Sequence, residues 1–204
     1  MRPRSLLIAL LVVAVTALCV RLGVWQLSRW QEKRGLNAAM RAGLEAPPLA
    51  PGGHLPPDSG LARRMIEVSG RWDRTREVLV AGGLRREVPV SRLVLPLRLE
   101  GGEAILVERG SLPAEDAAVA DLSRFSDTAA VTVRGWAEPM RRGAGSPGPR
   151  RLPFAATERW SARWLDADSL APRFPYRISA LVLRELPGSD STPGLAREAP
   201  RPLD

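Results

Sequence analysis

The chain has 204 residues, a net charge of +8, one Cys and one His. A lone Cys excludes an intrachain disulfide and a thiolate metal cluster, and a lone His leaves a zinc site without its usual ligands and restricts a Ser-His-Asp triad to His54. The basic residues are Arg apart from Lys33 and are interleaved with acids such as Glu67, Asp73, Glu77, Glu87 and Glu103, an even scatter that argues against a nucleic-acid partner.

The first element is a membrane anchor. The run Ser5 to Val20, SLLIALLVVAVTALCV, carries no charge, and Leu22, Gly23, Val24, Trp25 and Leu27 continue its character past Arg21. Residues 5–27 as a helix span about 33 Å, enough for the hydrocarbon core. Arg21 can snorkel to the headgroups, and Trp25 and Trp30 fall where interfacial Trp belongs. A cleaved signal peptide competes with this reading, with Arg2 and Arg4 as its basic start and Val15-Thr16-Ala17 as a cleavage site. The apolar run persists beyond that site, which favours an uncleaved anchor. Charge does not settle orientation: Arg2 and Arg4 flank one side, and Arg29, Lys33, Arg34 and Arg41 the other.

The helix is predicted to continue to about Met40, with Trp25, Arg29 and Lys33 on one face at i, i+4 and i+8. The spacing favours a membrane-surface helix with snorkelling cations over a cation–π contact of Arg29 with Trp25 or Trp30. The organisation read from the sequence is an anchor and juxtamembrane helix over 1–45, a Pro/Gly linker over 46–62, a β-rich domain over 63–187 and a disordered tail over 188–204.

Within the domain, short apolar alternations recur between turn signals. Met65, Ile66 and Val68 precede Ser69-Gly70; Val78, Leu79 and Val80 precede Gly82-Gly83; then come 88–99, Ala104 to Val107, Val131 and Val133 before Gly135-Trp136, and 178–186. Short helices are predicted at 114–122 and 166–171, and a loop at 143–150. The fold class is α+β, mainly β: an N-terminal transmembrane helix followed by a small antiparallel β-sheet or partly open barrel with short helices.

Leu22 to Lys33, LGVWQLSRWQEK, resembles the LGxWQxxRxxxK signature after the first transmembrane helix of the Surfeit locus protein 1 family. Gly70-Arg71-Trp72 is similar to that family's G-x-aromatic turn, Glu77 to Val80 to its E-x-x-V strand, ILVERGSLP (105–113) to its V-N-R-G-W-V-P segment, VRGW (133–136) to its next strand and turn, and WLDAD (164–168) to its Trp-x-Asp region. The resemblance covers about residues 5–186. It implies a non-enzymatic assembly factor for haem–copper cytochrome c oxidase, assisting the insertion or stabilisation of haem a. The implied partners are the lipid bilayer and either the oxidase catalytic subunit or the haem a synthesis enzyme. The implied location is the cell (inner) membrane, with the β domain on the extracytoplasmic side.

The chain departs from the family pattern at Glu108, where Asn is typical, and at Ser111, where Trp is typical. The family pattern also has a second transmembrane helix, introduced by a segment bearing the His expected to ligate haem. No apolar run of that length follows residue 186 here, and His54 is the only imidazole. The expectation is therefore a truncated or divergent member, or one whose haem ligand comes from a partner chain.

The candidate contacts for a partner or a haem propionate are Trp25, Gln26, Arg29 and Lys33 on the helix, and Arg109 with Gly110 in the β domain, since an Arg fork suits a carboxylate. In an anchored scaffold of another membrane complex, the alternative reading, Trp25, Gln26, Arg29 and Lys33 form an interfacial helix face that docks on a transmembrane partner. An enzyme reading rests on Glu67, Asp73 and Glu77 as paired carboxylates; no catalytic residue and no metal ligand is predicted.

Overall fold

A computed structural model of the chain describes residues 3–52, 55, 60–113, 130–143, 148–153, 157–187 and 195–200. The chain divides into two compact units, one built on Met1–Ala42 and the other on Gly43–Pro200.

Helix α1 runs Pro3–Glu45. Pro3 suits a first helical position, where its missing N–H is not needed, and no further Pro intervenes until Pro47-Pro48. Its 43 residues give a length of about 65 Å. The helix is long and apolar enough to cross a membrane, and none of its apolar window is buried among the described residues.

The second unit is built on eight strands: β1 (Met65–Trp72), β2 (Arg76–Arg85), β3 (Val88–Leu99), β4 (Ala104–Pro113), β5 (Ala130–Pro139), β6 (Arg150–Arg151), β7 (Glu158–Ala162) and β8 (Ile178–Glu185). Their order is β1-β5-β8-β4-β3-β2-β7-β6, and an added β1–β3 pairing closes the first five into a barrel. Closure leaves those five strands with no unpaired edge to template aggregation. The barrel is thus closed rather than partly open. Most pairs are antiparallel, but β4–β8 and β2–β7 are parallel.

Alternation along the strands fills the interior. Ile66 and Val68 from β1, Leu93, Leu95 and Leu97 from β3, Ile105 and Val107 from β4, and Leu181 and Leu183 from β8 form one cluster. Each such fully buried side chain contributes about 1.5–3 kcal/mol. The intervening Val94, Leu106 and Val182 face outward, into a second cluster with Val78 and Val80 of β2 and Leu170 and Phe174. Helix α2 (Ala167–Leu170) and a 3₁₀ turn (Ala171–Arg173) supply that cover. Asp166 starts α2 by accepting from the Asp168 and Ser169 N–H groups.

Two glycines read from sequence as turn signals lie inside strands. Gly70 pairs with Val131 of β5 and with Leu99 of β3, at the point where the barrel closes. A Cβ there would lie 2.4 Å from the Arg98 carbonyl oxygen, and one at Gly135 would lie 2.5 Å from that of Arg184. Backbone proximity in a small closed barrel, not chain reversal, explains both residues. The expected turn at Gly82-Gly83 is a register shift within the β2–β3 pairing; the reversal comes at Arg86-Glu87, both at positive φ.

Strand β7 has no counterpart among the strands predicted from the sequence, and β6 begins at the end of the expected 143–150 loop. Residues 195–200, expected to belong to a disordered tail, depart from that reading: Ala196 exchanges two backbone hydrogen bonds with Ser111. The predicted helix at 114–122 and the linker's His54 lie outside the described residues.

Candidate functional site

Arg109 owes its position to a bulge. Leu93 of β3 opposes Gly110 and Val94 opposes Glu108, which leaves Arg109 as the extra residue of β4. A bulge re-aims the side chain it carries. Strands β4 and β8 run parallel, and β1 shares their direction because both β1 and β8 are antiparallel to β5. Their C-terminal ends therefore meet at one rim, which brings together Trp72, Arg109 and Glu185.

At that rim the Arg109 guanidinium lies 4.6 Å from the centre of the Trp72 ring. Its Nε is 2.9 Å from one carboxylate oxygen of Glu185, and a guanidinium nitrogen of Arg197 is 2.6 Å from the other. All three charged side chains are under a tenth exposed. Arg197 also donates to the Arg109 carbonyl oxygen. Burial pushes the Glu185 carboxyl above its ordinary range, and the two guanidinium charges offset only part of that effect.

On the outer side of the same strands a second charged row runs across the sheet. Glu108 is 2.7 Å from Arg92 and 3.5 Å from Arg184, which in turn is 2.9 Å from Glu138. Between this row and the 195–198 segment lies a cleft of about 130 Å³, lined by Arg92, Glu108, Gly110, Arg184, Glu185 and Arg197 among others. The arginines that line it, Arg85, Arg92, Arg184 and Arg197, are each ion-paired with a carboxylate of the chain. Gly110 adopts φ +138, and a Cβ on it would meet the Ala196 carbonyl oxygen at 2.9 Å.

Arg109 is thus a buried residue, and its fork is engaged by a carboxylate of its own chain. An external carboxylate or propionate at this rim must compete with Glu185 or bind beside it. The alternation pattern itself points two participants inward: Trp72 extends the stripe of Ile66 and Val68, and Glu185 that of Leu181 and Leu183. Arg197 had no such signal, because it follows a stretch that reads as disordered.

The other predicted residues lie on α1. Trp25, Gln26, Arg29 and Lys33 line one concavity of about 360 Å³ together with Trp30, Arg34 and Asn37. Arg34, rather than Arg29, lies over the Trp30 ring, at 4.4 Å, while Arg29 pairs with Glu32 at 2.9 Å.

The carboxylates of the enzyme reading have separate partners. Glu77 is buried against Arg159 at 2.7 Å. Asp73 accepts from the Tyr176 hydroxyl at 2.5 Å and from Thr75, and Glu67 points outward from β1. Burial opposes ionisation of Asp73, but the hydrogen bonds from Thr75 and Tyr176 and the charge of Arg76 outweigh it and hold its carboxyl below the usual range. Tyr176 is shifted the other way, above its ordinary range, by burial and then by its bond to Asp73.

Among the described residues that line the rim cleft there is no His, Cys, Met or Tyr. Cys19 lies in α1, Met65 and Met140 are core residues, and the Tyr176 hydroxyl is held by Asp73. Among the described residues there is also no group of three or more His, Cys, Asp or Glu placed to hold a metal ion.

These features define a class: a long apolar helix carrying a small closed barrel whose rim is built from buried arginine–carboxylate pairs. The profile of the SURF1 family matches residues 13–203, nearly the whole chain, and the chain belongs to that family. The family is one of membrane-associated cytochrome oxidase assembly factors. No match was found among curated proteins.

Proposed function

We propose that the chain is a membrane-anchored, non-enzymatic assembly factor for haem–copper cytochrome c oxidase that helps haem a enter or remain in the catalytic subunit. Family membership over residues 13–203 is the observation that carries this reading. α1 anchors the chain in the cell membrane with the barrel on the extracytoplasmic side. The barrel rim holds acidic groups, either haem propionates or carboxylates of the oxidase subunit or haem a synthesis enzyme, through Arg109 and its neighbours. The factor works by binding and release, with no bond made or broken.

The test is a reduced-minus-oxidised optical spectrum of membranes from a strain lacking the gene, beside the parent. Loss of the haem a band, restored by the intact gene, is the expected result. An unchanged spectrum overturns the proposal. Recovery of an unrelated membrane complex with the affinity-tagged chain then favours an anchored scaffold of that complex.

A further inference from the structure

We infer that the face of α1 just beyond its apolar run binds the phosphodiester of an anionic phospholipid. The inference goes beyond the oxidase role and needs only that α1 spans the bilayer.

The argument begins with position along the helix. The apolar run ends at Leu27, and at 1.5 Å per residue Arg29 lies about 3 Å past it and Lys33 and Arg34 about 10 Å past it. The headgroup layer occupies roughly that depth on each side of the hydrocarbon. Trp25 and Trp30 sit at the boundary between the two layers, where an indole keeps one part in apolar surroundings and one part wet.

Charge identifies the occupant. From Arg29 to Arg41 the helix carries Arg29, Lys33, Arg34 and Arg41 against the single acid Glu32. Glu32 engages Arg29 at 2.9 Å, but both side chains are more than half exposed, so the pair is weak and its members can exchange partners. The net positive charge of this stretch attracts anions. A phosphodiester is the anion that the headgroup layer holds at high density.

Geometry supplies the seat. Arg34 is stacked on Trp30 at 4.4 Å, an arrangement that holds the guanidinium plane while leaving its in-plane N–H donors able to meet phosphate oxygens. Trp25, Arg29 and Lys33 complete a concavity of about 360 Å³, in which indole surface meets the glycerol end of a lipid and the cations meet its phosphate. A zwitterionic lipid brings its own ammonium to the same place and is disfavoured there.

The test uses the full chain in a neutral detergent. Phosphatidylglycerol and phosphatidylcholine with matched acyl chains are titrated separately, and bound lipid is counted by native mass spectrometry. Phosphatidylglycerol is expected to bind at least ~10-fold more tightly, because each cation near a membrane surface adds to the attraction for anionic lipid. Replacing all three cations (Arg29→Gln, Lys33→Gln, Arg34→Gln) is expected to abolish that preference. Arg4→Gln, at the other end of the apolar run, is expected to leave it intact. Equal binding of the two lipids, a preference that survives the triple replacement, or a preference lost in Arg4→Gln overturns the inference. Loss of a co-purifying protein in the triple variant with no lipid preference in the parent assigns the face to a protein partner instead, and also overturns it.

Discussion

Arg109 Nε lies 2.9 Å from a carboxylate oxygen of Glu185, and the two side chains are 8% and 6% exposed. Arg197 closes on the other oxygen of the same carboxylate, so one buried acid holds two guanidinium groups drawn from distant parts of the chain. A buried network of this kind is costly to break from one side and cheap to replace as a whole.

Glu185→Leu is therefore expected to destabilise the second unit by about 3–5 kcal/mol, since it strands two buried cations. Glu185→Leu combined with Arg109→Met and Arg197→Met is expected to recover most of that loss. Thermal unfolding of the full chain in detergent, followed by near-ultraviolet circular dichroism, measures both variants, and Trp72 beneath Arg109 contributes to that signal. A triple variant no more stable than Glu185→Leu refutes this account.

Gly70→Ala and Gly135→Ala are each expected to destabilise the barrel by about 2 kcal/mol or more, because the added methyl collides with a strand carbonyl that pairing prevents from moving. Gly148→Ala is the control: a Cβ there meets nothing within 4 Å, and the change is expected within about 0.5 kcal/mol of zero. Urea unfolding of the three variants in the same detergent decides the matter. Equal midpoints for Gly70→Ala and Gly148→Ala would show that the closure tolerates a side chain.

The two glycines also mark the limit of what the sequence makes legible. Period-two alternation is local, so it reveals β1, β3, β4 and β8 and even the inward direction of Trp72 and Glu185. It cannot reveal that β1 passes from β5 to β3 at Gly70, because that is a long-range fact, and a glycine demanded by a close crossing looks like one demanded by a turn. Strand β7 was hidden for a related reason. Its five residues, ERWSA, show little apolar alternation, and the strand is held by parallel pairing to β2 and by Arg159 on Glu77. Arg109-Gly110 was recognisable as a motif, but the bulge that re-aims Arg109 depends on how β3 registers against β4. The helix face was the most readable part, since Trp25, Arg29 and Lys33 are brought together by the helical repeat alone.

Asp73 gives a pH dependence of definite sign. Its carboxyl in the folded chain ionises below the ordinary value of 3.8. The stability it contributes is thus fully present above that value and lost as pH falls through the lower, folded one. Glu185 acts in the opposite sense: its raised value favours the fold below the ordinary 4.5, and that contribution fades as pH rises through the folded value. The stability gap between wild type and Asp73→Asn isolates the first effect. It is expected to be constant from pH 7 to pH 5 and to shrink below about pH 3.8. A gap that widens in acid contradicts the assigned shift.

The segment around Ala196 is expected to act as a strap whose hold on the rim depends on its main chain. Its two bonds to Ser111 measure 2.8 Å and 3.0 Å, and it carries Arg197 to Glu185. Ala196→Pro removes the donor of the second bond and restricts the preceding Leu195. The remaining bond, from the Ser111 N–H to the Ala196 carbonyl, then loses its partner strand. Hydrogen exchange at the Ser111 amide is expected to quicken by about tenfold or more, the equivalent of one net hydrogen bond. Amides of β1 and β5 at the closure, such as Val68 and Val133, are expected to exchange at the wild-type rate, because the barrel does not need the strap to close. Uniform acceleration across both regions would mean that the strap is part of the barrel's cooperative unit. No change at Ser111 would mean that Arg197 and Glu185 hold the segment without its backbone.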